Sequence, residues 1–302
     1  MFGGLRMRTF SLLAALLAAA ASVVAFASHD ASAAETRAPT SRWHLFLDGT
    51  PIGPIEQSAT NLSAKGAEQM IVVSPAAMSA GFWSWLTPAF AGQDPKRTVT
   101  VVGFADARPA IASQLPSASL RTFALPALEA NNRSPVTFSL TTNAATIQQT
   151  TPLDARLSSG SRPWLTSDYR VEIDGMPTSR VASVSPITIS FASRPQPPAG
   201  VHPVAVGSPK TVTKGTSVTS SPLVIKVASA DAPAFQQWLA SAATTKRSGS
   251  LKFLTQDLRE PHLTVSFKAL TITKVSSDTA SQGPAGRATV EMNVEGIALS
   301  PP

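Results

Sequence analysis

The sequence predicts a mainly β protein built from two tandem copies of one small β domain, each carrying a single packed helix. Three observations lead there. A strand-like segment runs into Asp-Gly-x-Pro twice, as WHLFLDGTP (Trp43–Pro51) and as YRVEIDGMP (Tyr169–Pro177). Phe-x-x-Trp-Leu also occurs twice, as FWSWL from Phe82 and FQQWL from Phe235, in a chain with only five Trp. Each copy of that motif is followed by three β-rich runs in the same order, and an ordered set of matches points to duplication.

The chain begins with Arg6 and Arg8 ahead of an apolar run from Thr9 to Ala27, ending in small residues at Ala25-Phe26-Ala27 and Ala31-Ser32-Ala33. A charged start, an apolar middle and small-residue sites are the pattern of a secretory signal peptide, expected over 1–33. The expected location is therefore a bacterial periplasm or the cell exterior. Residues 34–42, AETRAPTSR, are polar and suit a tether.

The first domain is expected over 43–149. Its opening strand meets Asp48-Gly49, a dipeptide that tolerates the positive φ of a tight hairpin turn. Ser74-Pro75 then offers an N-cap hydroxyl and a proline at the first helical position. In the helix that follows, Phe82, Trp85 and Leu86 stand at i, i+3 and i+4, on one face. Such a stripe is a core face, and burying it contributes several kcal/mol, at about 1.5–3 for each large apolar side chain. Pro88 is read as the stop. Three β-rich runs follow: RTVTVVGF (Arg97–Phe104), LRTFALPAL (Leu120–Leu128) and PVTFSLTTNAATI (Pro135–Ile147).

Residues 150–167, rich in Ser, Thr and Pro, read as a linker. The second domain, expected over 168–302, repeats the order. Asp174-Gly175 is its turn, Asp231 and Pro233 start its helix, and Phe235, Trp238 and Leu239 form the apolar stripe. The closing runs are SLKFLT (Ser250–Thr255), LTVSFKALTI (Leu263–Ile272) and RATVEMNVEGIAL (Arg287–Leu299), the last laid on Pro135–Ile147 without a gap. The copies differ in length. The 33 positions from Gly49 to Phe82 become 60 from Gly175 to Phe235, with most of the surplus in the Pro-rich stretch Ser193–Lys210. Its prolines preclude a central strand, so a long surface loop is expected. Trp83 lies off the shared stripe, where Gln236 sits in the second copy, and is kept as a candidate surface contact.

Composition excludes several classes of function. With no cysteine there is no zinc thiolate site, iron–sulfur cluster or cysteine nucleophile, and stability has to come from burial. A net charge of +7 spread over a chain with 14% charged residues, without a Lys/Arg run, is unlike a nucleic-acid-binding tail. His44, His202 and His262 are not spaced as metal ligands. No G-x-S-x-G elbow and no Gly-rich phosphate loop is present. Glu291 and Glu295 alternate with apolar residues and belong to a strand's outer face. No catalytic residue, cofactor or metal is expected.

The second half resembles the phage tail-tube proteins and the related tube-forming Hcp proteins of type VI secretion. The resemblance rests on YRVEIDG, VASVSPITISF (Val181–Phe191), PLVIKVASADAPAFQQWL, GSLKFL, VSFKALTITKV and ATVEMNVEGIAL, covering most of 169–300. The first half resembles a shortened copy. The resemblance implies a β-barrel or sandwich with one helix packed on it, no active site, and subunits joining edge to edge into six-fold rings that stack into tubes. With two such units per chain, three chains would give a pseudo-six-fold ring. An export signal departs from that family, whose tube proteins stay in the cytoplasm. The expected function is thus a secreted structural protein that partners itself in a ring-forming homo-oligomer, with other envelope or injection-machine components as further expected partners. The alternative is an envelope binding module contacting a glycan, a protein or another envelope component through Trp83 or the 193–210 loop.

Overall fold

The computed structural model describes residues 43–63, 66–105, 108–153, 161–193, 216–241, 245–277 and 286–301. The expected signal peptide and tether, His202 and nearly all of the Ser193–Lys210 stretch lie outside these residues. In the first half, β1 (Trp43–Leu47), β2 (Thr50–Ser63), β3 (Gly66–Val73), α1 (Ala80–Phe90), β4 (Arg97–Ala105), β5 (Arg108–Leu125), β6 (Leu128–Glu129), β7 (Phe138–Ala144) and β8 (Gln148–Gln149) follow in order. The second half holds β9 (Tyr169–Ile173), β10 (Ser183–Val184), β11 (Ile187–Ser193), β12 (Thr216–Ser220), β13 (Leu223–Ala228), α2 (Ala232–Ala240), β14 (Arg247–Leu254), β15 (Pro261–Ser277), β16 (Arg287–Asn293) and β17 (Gly296–Ser300). The mainly β expectation, with two barrel-like sheets and two short helices, is met.

The first barrel closes because one strand is long enough to border both ends of the sheet. Strands run β5-β4-β1-β2-β3-β7, and β7 returns to β5, so the chain of antiparallel pairs has no gap. What lets β5 do this is a bulge. Between Arg97↔Ala118 and Val99↔Leu115 the register shifts, and Ser117 takes φ 49. An extra residue in one strand bends it and increases its twist. The inward face of β7 alternates strictly, with Phe138, Leu140, Thr142 and Ala144 buried, as a strand with one face on a core requires.

The second half repeats these pairings: β9-β14-β15-β16-β13, with β17 on β15 as β8 is on β5. It also repeats the bulge. Arg247↔Leu270 and Gly249↔Phe267 bracket Ala269, whose φ is 51. The copies differ at their turns. Asp48 and Gly49, both at positive φ, close a two-residue hairpin in which Leu47 faces Thr50. After β9 only Gly175 is left-handed, the Met176 N–H donates to Ile173 O at 3.0 Å, and β9 pairs with β14 alone. The second Asp-Gly is a turn without a hairpin.

Register also corrects the gapless match of the closing runs. Asn143 faces Ser119 and Asn293 faces Thr271, so Asn143 corresponds to Asn293, whereas laying Pro135 on Arg287 would put it on Glu295. The shift is two positions, one full strand period, which leaves inward and outward faces unchanged.

The halves are not separate beads. The second half's long hairpin straddles both sheets: its base, β10 with β13, lies in the second, and its outer part, β11 with β12, lies in the first. Pro186 and Pro222 mark the crossing, since neither can donate to a ladder. Register nevertheless continues through it, with Ser185 N–H donating to Val224 O at 2.9 Å and Ser221 N–H to Thr188 O at 2.8 Å. On the other side, β10 and β11 lie along β6 and β5, from Ser183↔Glu129 to Ser190↔Thr122. Thr122–Ala124 therefore bonds β7 on one edge and β11 on the other. The outer strands of this hairpin, β11 and β12, flank the extra length of the second copy in the sequence.

One apolar cluster runs from Leu45 to Leu299 through both barrels, and Phe138 meets Phe253 edge-on at 5.6 Å. A shared core makes the halves one cooperative unit. Calorimetry should show a single unfolding transition, and Phe253→Ala, at a fully buried site, should lower it as a whole by about 3–5 kcal/mol. Two resolved transitions, with only one displaced, would contradict this.

Candidate functional site

The repeated motif is built the same way twice. The first helix does not start where its proline suggests, whereas the second does, with Asp231 at its N-cap position and Pro233 in its first turn. Pro75–Ala77 and Ser229–Asp231 form 3-10 turns, α1 begins after Ser79, and neither Ser74 nor Asp231 makes a capping bond. Asp231 instead accepts from the Arg180 guanidinium. Pro88 does not stop α1; it lies in the last turns, where the missing N–H removes a single bond and the helix runs on to Phe90. Phe82, Trp85, Leu86, Phe235 and Trp238 are buried as expected, while Leu239 is only half-buried at the margin of the core.

The Trp shared by the two motifs reaches out of its helix in each half. The Trp85 indole N–H donates to Pro95 O at 3.0 Å, and the Trp238 N–H to Thr245 O at 2.9 Å. Each acceptor lies two residues before an arginine that starts the next strand. Arg97 donates to the Asp48 carboxylate at 2.9 Å, whose other oxygen accepts the Thr98 N–H at 2.8 Å. That N–H, with the guanidinium behind it, holds the Asp48 carboxyl below the usual carboxylate range. Arg247 stacks over the Trp238 ring, 5.2 Å from its centroid, and donates to Asp174 O. Gly175 lies at φ 67, a conformation that strains any side chain, and a Cβ there would stand 2.6 Å from the Arg247 Nη1 and push the guanidinium aside. Helix, following strand and Asp-Gly turn are thereby tied together in both halves.

Trp83 has a different fate from the one expected. It is 7% exposed, too little for a surface contact platform, and its ring stacks on Trp164 at 6.2 Å and 9°. Trp164 stacks in turn on His262 at 4.9 Å and 2°, with Phe138 edge-on to it and Phe253 tilted at 37° beside it. A first-half helix, the segment read as a linker and a second-half strand meet in this stack. The clue in the sequence was that Trp83 and Trp164 are both unshared between the copies. What remains open beside Trp83 is a groove of about 640 Å³ on the outer side of α1, bordered by Met78, Thr87, Pro88 and Pro301.

No titratable groups converge on it. His44 lies on the outer face of β1 against Phe46, with Val102, Ala112 and Leu153 around them, and burial lowers its pKa. Tyr169 is pushed up to about 12 by burial and by the Glu129 charge, and donates to Val181 O at 3.2 Å. Glu291 and Glu295 pair with Lys274 and Lys246 at the surface. Among the described residues no three His, Cys, Asp or Glu could hold a metal ion together.

Comparison with known proteins adds little. No family model matches the chain, and no curated protein does. Among solved structures, a chain of the anti-feeding prophage baseplate, imaged by electron cryo-microscopy with six-fold symmetrisation, overlaps 49% of this chain and 98% of its own. The TM-score is 0.28 and the identity 13%.

Two measurements probe these arrangements. Trp85→Phe and Trp238→Phe, each leaving a carbonyl unpaired, should each cost about 1–3 kcal/mol in denaturant unfolding, and Leu86→Ala should cost more than Leu239→Ala. For His44 the folded pKa lies below the unfolded value of 6.5. The unfolded chain therefore binds the extra proton, and stability is complete above that value and falls as the pH drops below it. Unfolding at pH 8 and pH 5.5 should show the loss, and His44→Leu should reduce it.

Proposed function

We propose that this chain is an exported, non-enzymatic structural protein of the bacterial periplasm or cell surface, which assembles with copies of itself into a ring or tube of β barrels. One observation carries the reading. Its two barrels are joined edge to edge through the ladder of β10 and β11 on β6 and β5. A strand edge is a template for another strand, and an assembly that repeats the same join hides such edges as it closes. Three chains would close six barrels. The tail-tube resemblance of the sequence points the same way.

A second reading keeps the groove beside Trp83 as a binding site for a glycan, a protein or another envelope component. Its apolar rim favours it.

Light scattering and negative-stain imaging of the exported chain at micromolar concentration test the first reading. A discrete multimer with ring-shaped particles is expected. A strict monomer without particles would overturn it. Deleting Ser193–Lys210 should leave assembly intact, whereas under the second reading ligand capture, if it used that loop, would be lost.

A further inference from the structure

Among the described residues, the join inside the chain has an unpaired counterpart at each end. The positive-φ residues Ser117 and Ala269 align β5 on β15, so that Thr122–Leu125 corresponds to Lys274–Ser277. On β5 that segment has β7 on one edge and β11 on the other. On β15 it has β16 on one edge, and among the described residues no strand on the other. Burial shows the difference. Phe123 and Leu125 are sealed beneath the hairpin, while Val275 is half-buried and Ser277 exposed.

The complementary edge is also on the chain. The Asp-Gly turns and the hairpin registers align β2 with β10 and β11, so that Gln57 corresponds to Ser183 and Asn61 to Ile187. β1 borders β2 only from Thr50 to Ile55, and β3 takes the other side. The outer edge of β2 from Gln57 to Ser63 is thus unpaired among the described residues, where its counterpart is laid on β5 and β6.

We infer that the outer edge of β2 in one copy adds to the Val275–Ser277 edge of β15 in a second copy, antiparallel, in the register that β11 keeps on β5. This rests on the proposed self-assembly and names its interface. By that register Ile187↔Leu125 becomes Asn61 facing Ser277 of the neighbouring copy. The contact is head-to-tail, since the two edges differ, and it closes into a ring if the rotation between halves divides a full turn. Directly opposed residues in an antiparallel pair have Cβ atoms about 4.5–5.5 Å apart, within reach of a short thiol cross-linker.

The absence of cysteine makes the test clean. Asn61→Cys and Ser277→Cys are made singly and together, and treated with a short bismaleimide. The mixed single variants should give a covalent dimer that neither gives alone, and the double variant should give covalent multimers up to the number of copies measured by light scattering. An unchanged melting temperature in each single variant shows that folding is intact. Discrete multimers of the double variant without cross-linked product would overturn this interface and leave the structural reading standing. A chain that stays monomeric would overturn both.

Discussion

The backbone of an edge strand has polar groups on both sides and cannot leave one side buried and unpaired. In this protein that demand falls on β5, whose last residues carry the join between the halves. The segment from Thr122 to Leu125 holds the closing strand of its own barrel and also the hairpin from the second half. Phe123 then sits beneath both strands, in edge contact with Phe90 of the first helix and Phe138 of the closing strand. The continuous core follows from this double pairing, because hydrogen bonds hold the barrels close enough for Phe138, Trp164 and Phe253 to meet.

The duplicated helix motif serves the same architecture at a smaller scale. Burying Phe, Trp and Leu on one face explains why the stripe recurs, but the indole hydrogen bonds explain why its centre is Trp. A buried indole N–H needs an acceptor, and in both halves the acceptor is a carbonyl just before the strand that pairs across the bulge. The arginine two residues later grips the Asp-Gly turn, by the carboxylate in one copy and by the carbonyl in the other. The aspartates recur for conformational reasons, and no catalytic pair needs to be invoked.

The strand order, both Asp-Gly turns, the core stripe and the extra length of the second copy were legible in the sequence, because periodicity and turn chemistry are local. The strand exchange was not. Val181–Phe191 has an ordinary strand pattern, and nothing local tells it to leave its own barrel at Pro186. The two-position slip of the closing runs was hidden for a related reason: a strand pattern is insensitive to a shift of one period. Trp83 reads as a surface residue in the sequence because its partner, Trp164, lies in a segment whose Ser and Pro content suggests a linker. At the proposed interface, the sequence could mark strands but not which edges lack a neighbour.

The hairpin that crosses between barrels also sets an order of events in folding. As the chain emerges from the ribosome, β5 is complete long before Ile187–Ser193 exists to cover it. The first barrel must wait with an open edge and a poorly covered Phe123. Contacts between segments so far apart in sequence are slow to form, and uncovered edges attract other chains meanwhile. A chain built to offer strand edges to its own second half is, until that half arrives, equally able to offer them to a neighbour.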